Sequence, residues 1–490
     1  MILTNEENFK NNLKNVEFSF NSKAPLIFET PNATIDFIDK IDIALSRILQ
    51  LRHYQHLRAS LSFVIKELIS NAQKANLKRI FFRMNDISIN DPEQYREGMK
   101  QFTEIIRDNP GFIENKLADY RMFIKVTFHQ FSLNTFHLTV ENSSKITQEE
   151  KERIIAKLKL FSSNKNNMDI FDITEGAGMG IFLSLKMLEK VGIKSSAIHI
   201  KIGNDTTIAE LLFNYDEVTP PPYDEIAKEI LKEVSSLPQY PENIKIILNK
   251  LSDPEVSIDI IVNELKKDPS LTAEILKLVN SAKYMMQRKI ASIKEALNLI
   301  GLKGLKNILF SYGAIKTVSD RFGTIPEIWD HCYKVASISS QIARKILKIR
   351  NDEDFFTAGL LHDIGKIVLM GINENVARKI EHICSEKDID MPIMEEIMMG
   401  LSHAQIGGKI VQLWGFPDNL VNAILYHHEP ILTTSHFELV NTVFLANYLA
   451  SLETIDEVNI YAIEPEVRIL FNLMTNMQLK SFVTNLEIFN

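Results

Sequence analysis

The two halves of the chain carry their hydrophobic residues in two different rhythms. Before residue 215, segments rich in Val, Ile, Thr and Phe read as strands: Phe123–Phe128, Thr135–Val140 and a closing Thr206–Phe213. Between them, helix-like stretches lie near 35–50, 59–76, 147–160 and 179–191. After residue 226 strand alternation almost vanishes. Apolar residues recur there at three and four, as in Ile244, Ile247, Leu248 and Leu251, which predicts an all-helical second half. Thr219-Pro220-Pro221-Pro222, flanked by Asp216, Glu217, Asp224 and Glu225, separates the two textures. Consecutive prolines cannot continue a helix or a strand, and charged flanks keep such a segment solvated. The expected organisation is an α+β chain: a mixed domain over 1–215, a proline-rich linker over 216–225 and a helical domain over 226–490. Within the first domain, residues 86–118 form a polar stretch. Asp91-Pro92 and Asn109-Pro110 bracket a predicted helix there, and the stretch reads as a surface insertion.

Composition narrows the classes. A chain of 490 residues can bury ample core without disulfides or structural zinc. The net charge of −8 argues against nucleic acid as a partner, because phosphate backbones need a basic surface. Two cysteines, Cys332 and Cys384, exclude a disulfide framework and fit a reducing compartment. The first residues, MILTNEENFKNN, lack a basic region followed by an apolar run, and no stretch reaches 18 uninterrupted apolar residues. The expectation is a cytoplasmic protein without a membrane partner.

Two segments of the first half carry candidate chemistry. In LSFVIKELISNAQKANLKRIFFR, Glu67, Asn71 and Lys74 stand at i, i+4 and i+7, on one helical stripe, with Leu61, Val64, Leu68 and Ala75 as the neighbouring apolar arc. A carboxylate can take a proton from water, and an amide oxygen can ligate Mg²⁺. A solvated helix face explains the spacing equally well. About a hundred residues later, Glu175-Gly176-Ala177-Gly178-Met179-Gly180 precedes IFLSLKMLEKVG. Alternate glycines let backbone approach a ligand, and the start of the following helix suits phosphate. Alone this is a weak signal.

In this order, ELISNAQKA and EGAGMGIFLSLKMLEKVG resemble the N box and glycine-rich G2 box of the GHKL ATPase family, over roughly residues 15–215. The resemblance implies a GHKL-type α/β sandwich that binds ATP with Mg²⁺. It implies that Glu67 activates water, that Asn71 ligates Mg²⁺ with Lys74 beside it, and that Gly176, Gly178 and Gly180 cradle phosphate. Phe161–Asn167 sits where the family has its mobile ATP lid, and Thr207 opens the closing strand. One departure stands out: the family's Asp-x-Gly-x-Gly box is matched by Val140-Glu141-Asn142-Ser143-Ser144, where Glu141 keeps a carboxylate for the base but both glycines are gone. His53 and His56 lie too near Glu67 for a separate phosphoacceptor hairpin, so the short upstream region is closer to the anti-sigma kinase branch.

The second half has its own constellation. AGLLHDIGK places His362 and Asp363 side by side within an apolar helix; His331 stands upstream, His403 lies in GLSHAQIGG, and His427-His428 follow in LYHHEP. A buried His-Asp pair requires charge compensation, and nitrogen and oxygen donors of this kind suit divalent Fe, Mn or Zn. The ordered set resembles the HD superfamily of metal-dependent phosphohydrolases. LPQYP, the DPSL turn, LVNSA and EALNLIG narrow the likeness to the HDOD domain, the HD-related output domain of bacterial signalling, over about 227–450. By that resemblance the final metal-binding Asp is replaced by neutral Asn447, in ANYLA, which argues against hydrolysis. The histidines then read either as a retained metal site or as a polar core cluster. The expected function is signal transduction, with an ATP-binding domain acting on an HDOD output module and unidentified signalling proteins as partners. The alternatives are an ATP-gated phosphohydrolase and an anti-sigma-type kinase that uses HDOD for localisation. A homodimer is compatible with all three.

Overall fold

The structure is a computed structural model. It describes residues 16–152 and 179–488, except 20, 90, 109–113, 115, 130–133, 148–149, 220–221, 239–240, 252, 254, 280–289, 388 and 487. Gly176, Gly178, the expected lid segment and most of the proposed helix near 147–160 therefore lie outside the described residues. Contacts divide the chain into two units, Met1–Pro222 and Tyr223–Asn490, at a point inside the expected linker.

Among the described residues, the first unit is a five-stranded antiparallel sheet with helices. Its strands are β1 (Leu26–Thr30), β2 (Ile124–Phe128), β3 (Thr135–Asn142), β4 (Ile198–Ile202) and β5 (Thr207–Asn214), in the order β1-β2-β3-β5-β4. Register follows the period of two. In β3, Phe136, Leu138, Val140 and Asn142 are buried while Thr135, His137, Thr139 and Glu141 face the other way. The strand pairs Ile124 with Asn142 on one side and Thr135 with Asn214 on the other. Helix α1 (Ile35–Arg52) starts on Thr34, whose hydroxyl accepts from the Phe37 N–H, and ends at His53 in the left-handed region. Helix α2 (Arg58–Met84) packs on β3, and α4 (Met179–Lys190) packs on α2.

The buried face of α2 is rotated from the expected arc. Leu61 and Val64 are buried as predicted, but Leu68 and Ala75 are only half-buried; Ile65, Ile69, Ala72 and Asn76 complete the face. The predicted insertion does carry a helix, α3 (Pro92–Asp108), and it is more than a surface appendage. Tyr95, Phe102 and Leu117 join Leu77, Ile80, Phe81 and Phe82 of α2 in a small core of their own.

Among the described residues, the second unit contains no strand, as the apolar spacing predicts. Its helices are α5 (Glu225–Ser235), α6 (Glu242–Lys250), α7 (Ile258–Leu265), α8 (Pro269–Val279), α9 (Ile293–Phe322), α10 (Pro326–Gln341), α11 (Glu353–Leu361), α12 (Ile364–Lys387), α13 (Met391–Met399), α14 (His403–Leu413), α15 (Asp418–Leu425), α16 (Phe437–Ala450), α17 (Pro465–Phe471) and α18 (Asn476–Leu486). Sequence motifs set several of the ends. Asp268 accepts from the Leu271 N–H to start α8, and Ser292 accepts from the Glu295 N–H to start α9. The helical run Glu353–Ser385 is long and apolar enough to cross a membrane by length and composition, yet 78% of its apolar window is buried inside the protein. It is built as a core helix.

Two glycine contacts bring the core helices close enough to matter chemically. A Cβ on Gly359 of α11 would lie 2.7 Å from the Ala336 Cα of α10. A Cβ on Gly365 of α12 would lie 2.0 Å from the His403 carbonyl oxygen. Only glycine allows these approaches, and they carry the neighbouring His362 and Asp363 up to His331 and His403.

Candidate functional site

The structure gathers all six predicted histidine and aspartate residues of the second unit. They sit mostly at helix ends rather than within helices. His362 caps α11, Asp363 lies in the break before α12, His403 opens α14 and His427-His428 follow α15; only His331 is inside a helix, α10. Helix ends allow side chains from different elements to converge on one point, which a single helix face cannot do.

Asp363 is the hub, with only 1% of its surface exposed. Its Oδ1 lies 3.1 Å from His403 Nε2 and 3.6 Å from His427 Nε2; His428 Nε2 is 3.0 Å from His403 Nε2. Its Oδ2 lies 3.3 Å from His362 Nε2, 3.8 Å from His331 Nε2 and 2.6 Å from Lys366 Nζ. Two donor groups share this carboxylate: Asp363, His403, His427 and His428, and His331, His362 and Asp363.

The outer nitrogens explain why the inner ones converge. His362 Nδ1 is 2.8 Å from the Gly359 carbonyl, and His427 Nδ1 is 2.7 Å from the Ile424 carbonyl. A carbonyl can only accept, so each Nδ1 carries the proton and each Nε2 is left with a lone pair. His403 Nδ1 is 2.6 Å from Glu395 Oε2, which also accepts the His403 backbone N–H at 2.8 Å. This is the outer-shell arrangement that orients imidazole ligands toward a metal.

The donor set fits a divalent cation. His362 Nε2 and Asp363 Oδ1 are buried without a hydrogen-bond partner, although other nitrogens stand close by. His403 Nε2 lies 3.3 Å from His427 Nε2 and 3.0 Å from His428 Nε2, and a shared positive ion would stabilise such a convergence of ring nitrogens. The electrostatics agree. Burial holds His427 down at about 3 and His428 well below the ordinary imidazole range, which favours the neutral form of both. Burial alone would raise the Asp363 carboxyl, but His362, Lys366 and His403 together hold it well below the usual carboxylate range. Burial alone would lower His403, but the Glu395 and Asp363 carboxylates together raise it.

Asn447 of α16 completes the picture on the Oδ2 side. Its Oδ1 lies 2.9 Å from His331 Nε2. An Nε2–H of His331 donates to this oxygen, which withdraws that nitrogen from the donor set. Among the described residues the Oδ1 side has no such competitor and is the more complete of the two.

Sequence reasoning missed Glu395 and the pairing of Lys366. Glu395 was signalled by an acid inside the apolar run Met391–Met399, where a buried carboxylate requires a partner. Lys366 stands at i+3 from Asp363, the spacing of a helical ion pair.

In the first unit the candidate residues come together only in part. A Cβ on Gly180, in the first turn of α4, would lie 1.8 Å from Glu67 Oε2, so the Glu67 carboxylate rests directly on that turn. Burial raises its pKa, with Lys74 acting against the shift. Asn71 and Lys74 are exposed on the same helix. Thr207 Oγ1 donates to the Ser144 carbonyl at 2.6 Å and accepts from the Ile146 N–H at 3.0 Å, tying the loop after β3 to the start of β5. Glu141 is not on this side of the sheet. It faces away from α2 and pairs with Lys125 of β2. Asn142 takes the inward position instead, donating to Asn76 Oδ1 of α2 at 3.1 Å.

Comparison with known proteins places the core within a described domain. The family model for the HDOD domain matches residues 237–430, which contain all six histidine and aspartate residues of the cluster. An uncharacterized protein of Treponema pallidum (strain Nichols) is 29% identical over 405 residues, covering 82% of this chain and 79% of its own. That alignment is longer than the second unit, so it extends into the first. The uncharacterized protein YuxH of Bacillus subtilis (strain 168) is 33% identical over 64 residues, 13% of this chain and 16% of its own. Among solved structures, an HDOD domain protein with unknown function from Geobacter sulfurreducens is 24% identical, with a TM-score of 0.43, covering 54% of this chain and 97% of that one.

Proposed function

We propose that this chain is a cytoplasmic signalling regulator in which an N-terminal Mg-ATP-binding unit acts on an HDOD output module built around a divalent metal. The observation that carries the metal reading is the convergence of imidazole Nε2 atoms on Asp363, with outer nitrogens fixed by Gly359, Ile424 and Glu395. Asp363, His403, His427 and His428 would hold the ion. Bound there, it supplies positive charge to a buried cluster of lone pairs; as a Lewis acid it can also polarise a phosphoryl oxygen. The output reading over turnover rests on Asn447, which offers no negative charge, and on the burial of His362, Asp363, His403 and His427.

The nucleotide reading rests on Glu67 against the first turn of α4, with Asn71 one turn further along α2. Asn71 would ligate Mg²⁺ and Glu67 would position water. The test measures iron, manganese and zinc in the purified chain alongside Mg-ATP titration calorimetry and a phosphodiesterase assay. Bound metal and bound nucleotide without hydrolysis support the proposal. A metal-free protein that ignores ATP removes it. A second reading, an ATP-gated phosphohydrolase, is favoured by the completeness of the Asp363–His403–His427–His428 set. It wins if the unaltered chain hydrolyses a phosphoester and an Asp363→Ala chain that remains folded does not.

A further inference from the structure

Asp363 offers its two oxygens to two sets of nitrogens, and the two sides do not end alike. Among the described residues, the Oδ1 side meets imidazoles. The Oδ2 side meets two imidazoles and, at 2.6 Å, the ammonium of Lys366, its nearest partner there. We infer that Lys366 is the second cation of this core: it takes the Oδ2 side of Asp363 and limits the centre to one divalent ion, held on the Oδ1 side. The inference deepens the metal reading proposed above and rests on it.

Three observations carry it. The first is occupancy. An ion ligated by Oδ2 would stand within a few ångströms of the Lys366 ammonium, and two cations at that separation repel strongly in a part-buried site. Lys366 is fixed at the start of α12, three residues from Asp363, with its side chain only 21% exposed.

The second is charge. Asp363 and Glu395 are the anions in contact with the donor set, and Lys366 is the permanent cation. One divalent ion leaves this group with a single net positive charge. Two would leave three, and burying uncompensated charge is costly.

The third is the residue that faces His331. A second ion on the Oδ2 side would need another anionic ligand, and Asn447 is neutral and already engaged with His331. The ammonium and the carboxamide make the same side of Asp363 unattractive to a metal from two directions.

The experiment counts ions rather than turnover. Metal-free protein is reconstituted with Mn²⁺, desalted, and read by inductively coupled plasma mass spectrometry and by electron paramagnetic resonance. The expected result is about one ion per chain with an isolated Mn²⁺ spectrum, rising toward two with a spin-coupled spectrum in the Lys366→Met, Asn447→Asp double variant. Lys366→Arg keeps the charge and should stay at about one. Two ions in the unaltered chain overturn the inference and leave the metal reading standing. One ion in a folded double variant does the same. No ion in the unaltered chain removes the metal reading itself. Should the Lys366→Met variants fail to fold, Asn447→Asp alone decides: a second ion bound with Lys366 in place overturns the inference, and a single ion supports it.

Discussion

In the second unit, Asp363 and the imidazoles nearest it lie out of water, and each inner nitrogen is aimed by a hydrogen bond on its outer side. In the first unit, Asn71 and Lys74 stand in solvent and only Glu67 is held against another element. The cluster around Asp363 is brought together by the helix ends of the fold. In the first unit, Asn71 and Lys74 present exposed side chains on α2. Buried, hydrogen-bonded side chains are costly to disturb; exposed ones are cheap to remove. The predictions below press on that contrast, from the largest effect downward.

Asp363→Ala should destabilise the second unit most. It leaves the Lys366 ammonium without its carboxylate and removes the anion shared by the imidazoles. Breaking a buried pair from one side costs about 3–5 kcal/mol. Urea unfolding of the metal-free chain reads this directly. A loss below about 1 kcal/mol would mean that the core is not organised around Asp363.

Acid should separate the metal-free and metal-loaded chains. His427 is held at about 3 by burial, against an ordinary value of 6.5. In the first unit, burial and then the His137 charge hold His129 at about 4, against the same 6.5. Below about pH 6.5 the unfolded chain takes up protons that the folded chain refuses, so both histidines contribute stability that is lost as pH falls toward those values. The raised His403 works in the opposite sense: its contribution is present below the unfolded value and lost as pH rises through the folded one. The depressed His427, His428 and His129 outnumber the raised His403. The melting temperature of the metal-free chain should fall between about pH 6.5 and 4, while bound metal delays the fall until the ligands protonate. A melting temperature that rises on acidification would show that these imidazoles are charged in the fold.

Asn71→Ala should weaken Mg-ATP about tenfold, or roughly 1.4 kcal/mol, with little change in melting temperature, because the side chain is exposed. Gly180→Ala is a sharper probe of geometry, since the added methyl would displace the Glu67 carboxylate from the α4 turn. Titration calorimetry of both variants checks the site. Unchanged affinity in both places the nucleotide elsewhere.

How much of this was legible beforehand depended on period and on partners. The helical second half and its histidine positions followed from apolar spacing and from motifs such as DPSL. The edge strands β1 and β4 did not, because edge strands are short and their neighbours decide them; four of the five residues of β4 are exposed. The hydrogen bonds that aim His362 and His427 come from backbone carbonyls, which no residue pattern records. The side of the sheet taken by Glu141 was legible in the alternation of β3. Phe136, Leu138 and Val140 alternate, and the same period puts Asn142 inward and Glu141 outward.

That alternation yields the smallest and most specific prediction. Glu141 and Asn142 are adjacent, yet they stand on opposite faces of β3. Glu141 pairs with Lys125, and both side chains keep contact with water. Exposed pairs of this kind contribute about 0–1 kcal/mol. Asn142 is 4% exposed and belongs to a buried network: it donates to Asn76, which also accepts from Ser144 at 2.8 Å and donates to the Phe123 carbonyl at 2.9 Å. Losing one buried partner costs about 1–3 kcal/mol. Glu141→Ala should therefore leave both stability and Mg-ATP affinity almost unchanged, while Asn142→Ala lowers the urea midpoint of the first unit. If Glu141→Ala instead abolishes nucleotide binding at an unchanged midpoint, the base is read from the outer face of the sheet, and the pocket cannot lie beside Glu67 and Asn71.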